Sequence, residues 1–373
     1  MGQITQWLSE NTQTKAADKI VDDTVDTLRR REGLLDMIMP LESYDSKDFL
    51  GYILEEVNTV ASIIAVGAEP PLTQQGTFRK ITAELLKTGL SRVYDEQYQW
   101  DMKKAMEEAA MKGVYVQNIR DPKTGAIIKG VNNSLAKYIF GTIEGLAKAQ
   151  IELLDKLTWD VLQTGEINHL DPRTKLNVSI SYKNPNDTSY NHFPAALSGG
   201  AVWNNYSTAN GIQDLYNDVD RYVDTNGFSP KAIVMGRKTL NNLLQQQSTK
   251  DAATQVRGSS VGSVSMDLLG GILSARQLPS IITMDERYKY EASDKSTSNV
   301  RFLQEGRYVF VAEEMGVRAI GPTLENRGSS GVYVKTYQLN KTSPTDISTS
   351  VASTLPCVMN PKLLLSRVVD PSA

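Results

Sequence analysis

Asn133 to Thr164 reads NSLAKYIFGTIEGLAKAQIELLDKLTWDVLQT, thirty-two residues without a proline. Leu135, Ile139, Ile143, Leu146, Leu154, Leu157 and Val161 recur at spacings of three, four or eight, the stripe of an amphipathic helix, and Gly165 supplies the stop. At about 1.5 Å per residue the helix is a rod of about 48 Å, against a radius of gyration of about 21 Å for a compact globule of this length. Such a rod crosses nearly the whole molecule, and the other elements must be arranged along it. Lys137, Glu144, Lys148, Glu152, Asp155 and Lys156 exclude a bilayer, so Gly141 and Gly145 point to close packing on another helix or on a sheet.

Ahead of the rod, Glu55 to Glu96 reads as a long hairpin. Two extended runs, Val57 to Val66 and Thr77 to Val93, are joined by Gly67-Ala68-Glu69-Pro70-Pro71 and Gln74-Gln75-Gly76. The second run alternates from Phe78 to Leu85, and there the pattern slips. Two strands alone cannot bury a face, so the hairpin requires cover from another element or another subunit. Farther upstream, residues 16–31 place Ala17, Ile20, Val21, Val25 and Leu28 on one helical face, a pattern that suits a docking arm and an ordinary packed first helix equally. Residues 95–112 read as a helix ending at Gly113, followed by a hairpin turning at Asp121-Pro122-Lys123-Thr124-Gly125.

Beyond the rod, Leu176 to Tyr182 alternates as a strand, and Lys183 to Ala201 is a Ser-, Asn- and Gly-rich connector. A helix over Gly211 to Thr225 carries Ile212, Leu215, Tyr216, Val219, Tyr222 and Val223 on one side, with Asn226-Gly227 as its stop. A strand at Ala232 to Met235, a turn at Gly236 and a helix from Arg237 to Gln246 follow, then a polar stretch, Gln247 to Val264, and a small helix near Met266 to Ser274. Strands are expected at Ile281 to Met284, Arg307 to Ala312, Val317 to Ile320, Gly331 to Gln338 and Leu363 to Val369. This order predicts an α+β protein in which the middle and the carboxyl terminus form one mixed domain with a second inserted between them.

Composition narrows the function. In 373 residues, 40 Lys and Arg against 43 Asp and Glu leave a net charge of -3, which argues against sequence-specific nucleic-acid binding. Hydrophobic residues at 40 % suffice for a sizeable core. The single Cys357 excludes an intrachain disulfide and a Cys-rich zinc site, usage that fits a reducing cytoplasm. Met1 to Glu10 lacks the features of a signal peptide, and Val60 to Ala68 is too short to span a bilayer, so a soluble, non-exported protein without a membrane role is expected. Gln6 stands where myristoylation wants Ser or Thr.

Catalytic patterns are sparse. Gly258-Ser259-Ser260-Val261-Gly262 satisfies G-x-S-x-G, but no buried strand precedes it and both histidines, His169 and His192, come earlier in the chain, so it reads as a loop. The histidines and Cys357 lack metal-ligand spacing, and His169 near Asp171 reads as a capped, solvated residue at the start of a loop. The turn at Gly236 carries neither dinucleotide nor P-loop glycines. Arg29-Arg30-Arg31 reads as the basic end of a helix. A large folded chain with an uncovered hairpin, an arm, a rod and no marked site is the profile of an assembly subunit.

Four stretches carry a resemblance: Val66-Gly67-Ala68-Glu69-Pro70-Pro71-Leu72-Thr73 leading into Phe78-Arg79-Lys80-Ile81, the rod itself, Trp203 through Gly227 to Ile233-Val234-Met235-Gly236, and the tail Pro356 to Asp370. In this order they resemble the major capsid proteins of tailed bacteriophages, which share the Hong Kong 97 fold, and among them the lambda-type major capsid protein family. The resemblance implies an amino-terminal arm over 1–54, an extended loop (a β-hairpin) over 55–95 that lies on a neighbouring subunit, a peripheral domain over 96–230 and 341–373 with spine helix 133–164, and an inserted axial domain over 231–340. It implies a non-enzymatic head protein without cofactors that assembles itself, as hexamers and pentamers, into an icosahedral shell in the host bacterial cytoplasm and resides in the virion. Scaffold, portal and decoration proteins are the implied partners, with double-stranded DNA enclosed non-specifically. Gln74, Gln75, Phe78, Arg79, Lys80 and Ile81 are the expected inter-subunit contacts. Some relatives crosslink a loop lysine to an asparagine, and Lys80 and Lys87 lie in that segment; no partner asparagine is marked, and no crosslink is expected. The competing readings are a nanocompartment shell of the same fold and a cytoplasmic α/β hydrolase or glycosidase built from unmarked carboxylates.

Overall fold

A computed structural model describes residues 24–25, 33–55, 77–94, 96–97, 100–101, 104, 119–120, 127–128, 133–171, 173–183, 193–292, 294, 296–340 and 345–372. After a short helix α1 (Leu34–Ile38) and strand β1 (Leu41–Ser43), β2 (Asp48–Glu55) and β3 (Thr77–Glu84) form an antiparallel hairpin, registered from Asp48 opposite Glu84 to Glu55 opposite Thr77. The expected first run, 57–66, lies outside the described residues; the strand that does pair begins nine residues earlier, at Asp48. β4 (Leu86–Tyr94) continues from β3, so the extended run read over 77–93 is present but divides at Leu85. A small hairpin, β5 (Ile119–Arg120) with β6 (Ile127–Ile128), precedes the rod. Of the helices read over 16–31 and 95–112, Thr24, Val25 and a few residues between 96 and 104 are described, all helical.

The rod is helix α2 (Asn133–Thr164), with the bounds read from the sequence. Its described apolar stripe serves two cores in turn. Ile143, Leu146, Ala147, Ile151 and Leu154 pack with Val25, Ile320, Val332, Val334 and Ala352. One to two turns later, Leu157, Trp159, Val161 and Leu162 enter the larger core with Val234, Phe310 and Leu365. Burial of side chains of this size stabilises by about 1.5–3 kcal/mol each, so the helix is held by tertiary packing more than by its own propensity.

The first sheet runs β1, β14 (Gly316–Gly321), β16 (Thr345–Val358), β15 (Tyr333–Asn340), with β4 on the other edge of β16. The second runs β10 (Ser280–Thr283), β9 (Ala232–Met235), β13 (Arg307–Val311), β17 (Leu365–Val368). Around the second sheet lie α3 (Gly211–Asn226), α4 (Arg237–Gln245), α5 (Gln247–Arg257) and α6 (Met266–Ala275). Hairpins β7 (Glu166–Leu170) with β8 (Asn177–Ser181), and β11 (Arg287–Glu291) with β12 (Thr297–Arg301), project as two-stranded ribbons. Strand pairing crosses the boundary expected at 340/341: β14 and β15 pair with β16, whereas β17 pairs with β13.

Three further readings need correction. The polar stretch 247–264 begins with helix α5, because Thr249 and Ala253, four residues apart, are buried, and Gly258 closes the helix in the left-handed region at φ 74°. Tyr216 does not join the buried side of α3 and is 44 % exposed. Leu363 lies in a 3-10 turn, Pro361–Leu363, ahead of the strand. The longest strand, β16, has no counterpart among the expected ones: its serines and threonines read as loop, yet Ser348, Ser350, Ser353 and Thr354 are buried. Several of these hydroxyls find partners inside. Gln150 of α2 donates from Nε2 to Ser350 at 2.8 Å and accepts from Thr88 of β4 at 2.6 Å, and Thr336 and Ser348 share a hydrogen bond at 2.8 Å.

Gly316 tests this register. It sits opposite Val358, where a Cβ would lie 2.2 Å from the Cys357 carbonyl oxygen and 2.9 Å from Val358 Cα, both backbone atoms. Gly316→Ala is expected to cost about 2–3 kcal/mol, read as a lower denaturant midpoint; an unchanged midpoint contradicts the β14–β16 pairing.

Candidate assembly surface

The hairpin β2–β3 pairs with itself and with no other strand among the described residues. Phe78, Arg79, Lys80 and Ile81 lie on β3 opposite Leu54, Ile53, Tyr52 and Gly51; Gln74 and Gln75 fall outside the described residues. What the structure adds is the root of this hairpin. Leu85 N–H donates to the Lys47 carbonyl at 3.1 Å, and Lys47 pairs with Glu84 across the two strands. The Leu85 side chain is 2 % exposed and fills the space left by Gly321, where a Cβ would come within 2.1 Å of Leu85 Cδ1. The slip in alternation at Leu85 is therefore the sequence signal for a strand that changes partner, from β2 to β16.

Behind that root is a buried ionic knot. Arg318, in the otherwise apolar β14, is 3 % exposed. Its Nε donates to the Met39 carbonyl at 2.7 Å, one terminal nitrogen donates to Asp155 of the rod at 2.5 Å, and the other pairs with Asp36 of α1. A charged residue inside an apolar strand was its only sequence trace. Lys87 of β4 pairs with Glu325 in the β14–β15 connection, a second link between the hairpin's continuation and the sheet.

The sequence's chemical candidates take structural roles. Gly258 to Gly262 follows α5 as an exposed turn, with a helix rather than a strand ahead of it. His169 lies on β7, not at the start of a loop; its Nδ1 is 3.2 Å from Lys156 Nζ, and Lys156 in turn pairs with Asp160. Burial and then the Lys156 ammonium lower the His169 pKa, while burial raises that of Asp160 against the opposing pull of Lys156. Asp171 instead caps its own turn, accepting the Arg173 N–H at 2.8 Å. His192 lies outside the described residues. Beyond Gly236, the first N–H of α4 donates to Asp285 Oδ1 at 3.1 Å, so a side-chain carboxylate holds that helix end. No cluster of potential metal ligands occurs among the described residues, and none of their helices is long and apolar enough to cross a membrane.

No family model matches the chain, and no curated protein matches it in sequence. Solved structures do. A prophage protein of E. coli CFT073, assigned as a capsid protein, superposes with a TM-score of 0.52 at 12 % identity over 90 % of this chain and 92 % of that one. The chain has the Hong Kong 97-type fold of tailed-phage major capsid proteins. A phage-related protein of Bordetella bronchiseptica RB50 follows at 0.46 and 13 % identity, covering 95 % and 98 % of the two chains. The capsid of Myoviridae phage XM1 follows at 0.40 and 12 %, covering 90 % of each.

The Arg318 knot gives a first check on the packing of this fold. Arg318→Met takes the buried guanidinium away from its half-buried partners Asp36 and Asp155 and is expected to cost about 3–5 kcal/mol, measured by denaturant unfolding. Asp36→Asn and Asp155→Asn added to it should recover part of the loss; no recovery means that the charges are not the cause. Cys357 provides a second check. Burial pushes its thiol up to about 12, so at pH 8 the native protein is expected to react with a thiol reagent about a thousandfold more slowly than the unfolded chain. Equal rates would contradict its buried position in β16.

Proposed function

We propose that the chain is the major capsid protein of a tailed double-stranded DNA bacteriophage, a structural protein rather than an enzyme, which builds the head by associating with copies of itself. The observation that carries the reading is a capsid fold whose β2–β3 hairpin is left unpaired on both outer edges among the described residues. A two-stranded ribbon is marginal in water, and a neighbouring subunit offers the cover that this chain's described elements do not. On this reading the β2–β3 hairpin is the extended loop, which moves the end of the arm from 54 back to 47, and the rod is the spine of the peripheral domain. Gln74, Gln75, Phe78, Arg79, Lys80 and Ile81 contact the next subunit in hexamers and pentamers.

The near-neutral charge suits a shell that encloses DNA without gripping its sequence. Scaffold, portal and decoration proteins are the further partners, and the virion is the destination. The test is deletion of residues 70–80. Light scattering and negative-stain microscopy of the full-length protein are expected to show shells, tubes or discrete rings, and the deletion variant should lose them while keeping the unfolding midpoint of its core. Particles of unchanged size from the variant would sink the proposal.

A further inference from the structure

Between the start of α4 and the β11–β12 hairpin lies an open cavity of about 490 Å³, lined by Arg237, Lys238, Asn241, Asp285, Arg287 and Arg301. Its positive charge is not balanced. Asp285 pairs with Arg301 and, at 3.2 Å, with Arg237; Glu305 takes Arg301 Nε at 2.7 Å and Lys238 at 3.1 Å. Two carboxylates therefore serve three cations, and the fourth, Arg287, pairs with no carboxylate among the described residues.

The strand register sharpens the imbalance. Arg287 and Arg301 stand directly opposite each other on β11 and β12, so their side chains leave the ribbon on the same face, and like charges in that position destabilise a two-stranded pair. Arg301 is neutralised from below by Asp285 and Glu305, whereas Arg287 is not. The helix end adds nothing to this field, because Asp285 already occupies it.

We propose that the cavity binds a multiply charged oxyanion of the phosphate class, held by Arg237, Arg287 and Arg301. Guanidinium forks match the paired oxygens of such an anion, and a dianion neutralises the two surplus charges where a single carboxylate neutralises one. Free phosphate and the phosphodiester of a nucleic-acid strand share this chemistry. The site is formed within one chain, so it does not depend on shell assembly.

The full-length protein is melted in sodium phosphate and in sodium chloride at matched ionic strength, alongside Arg287→Ser. Phosphate is expected to raise the Tm of the wild type above its value in chloride. Arg287→Ser should remove that increment while leaving the Tm in chloride unchanged or higher, because the variant also relieves the Arg287–Arg301 repulsion. A second arm measures a short DNA duplex by fluorescence anisotropy. Duplex affinity reduced about tenfold in Arg287→Ser, without a phosphate increment in the wild type, identifies the phosphodiester as the source; a phosphate increment with duplex affinity unaltered by the variant identifies the free anion. The proposal is overturned if the wild type shows no increment and duplex affinity is the same in both proteins, or if Arg287→Ser keeps both the increment and the duplex affinity of the wild type.

Discussion

Arg318 joins three stretches that the chain keeps far apart: α1 through Asp36 and the Met39 carbonyl, the rod through Asp155, and the first sheet through its own strand β14. A buried guanidinium is tolerable only when its fork is fully engaged, because the cost of removing it from water is offset by these partners and by nothing else. Sheet, rod and amino-terminal segment consequently meet at one residue. The hairpin root depends on the same junction, since Leu85 rests on Gly321, three residues along β14 from Arg318.

The rod then sets the relation between the two sheets. Gln150 fastens it to β4 and β16, and Gln163, thirteen residues on and about 20 Å along the axis, fastens it to the approach of the second sheet. There Gln163 donates to the Phe302 carbonyl at 2.9 Å and accepts the Gln304 N–H at 2.8 Å, while Arg307 donates to the Gln163 carbonyl. The second sheet has its own buried polar centre, Asp218 of α3, which accepts from Tyr308 and, at 3.2 Å, from Arg367. Burial foremost and the Asp218 carboxylate next hold the Tyr308 hydroxyl protonated well above its usual range, so it remains a donor.

Much of this was legible in the sequence where one residue pattern decides one element. The rod, β9 and the start of α4 follow from apolar spacing and a turn glycine, and the uncovered hairpin follows from two runs with turn residues between them. β16 was not legible, because two of its buried hydroxyls, Ser350 and Ser348, find their partners in Gln150 and Thr336 of other elements, and that pairing leaves no local trace. α5 was hidden by its polar composition, with only Thr249 and Ala253 turned inward. The candidate contacts on β3 could be placed on a strand, but no surface among the described residues pairs with that strand beyond β2.

The division of one extended run at Leu85 has a mechanical consequence. Force applied to the hairpin passes along the backbone into β4, whose ladder with β16 is registered without interruption from Leu86 opposite Thr354 to Tyr94 opposite Asp346. Displacing β4 along its axis requires this whole ladder to slide at once, whereas tilting the hairpin about Leu85 breaks none of it. The ribbon thus has a stiff mount, and load on it is carried into the full length of the β4–β16 ladder.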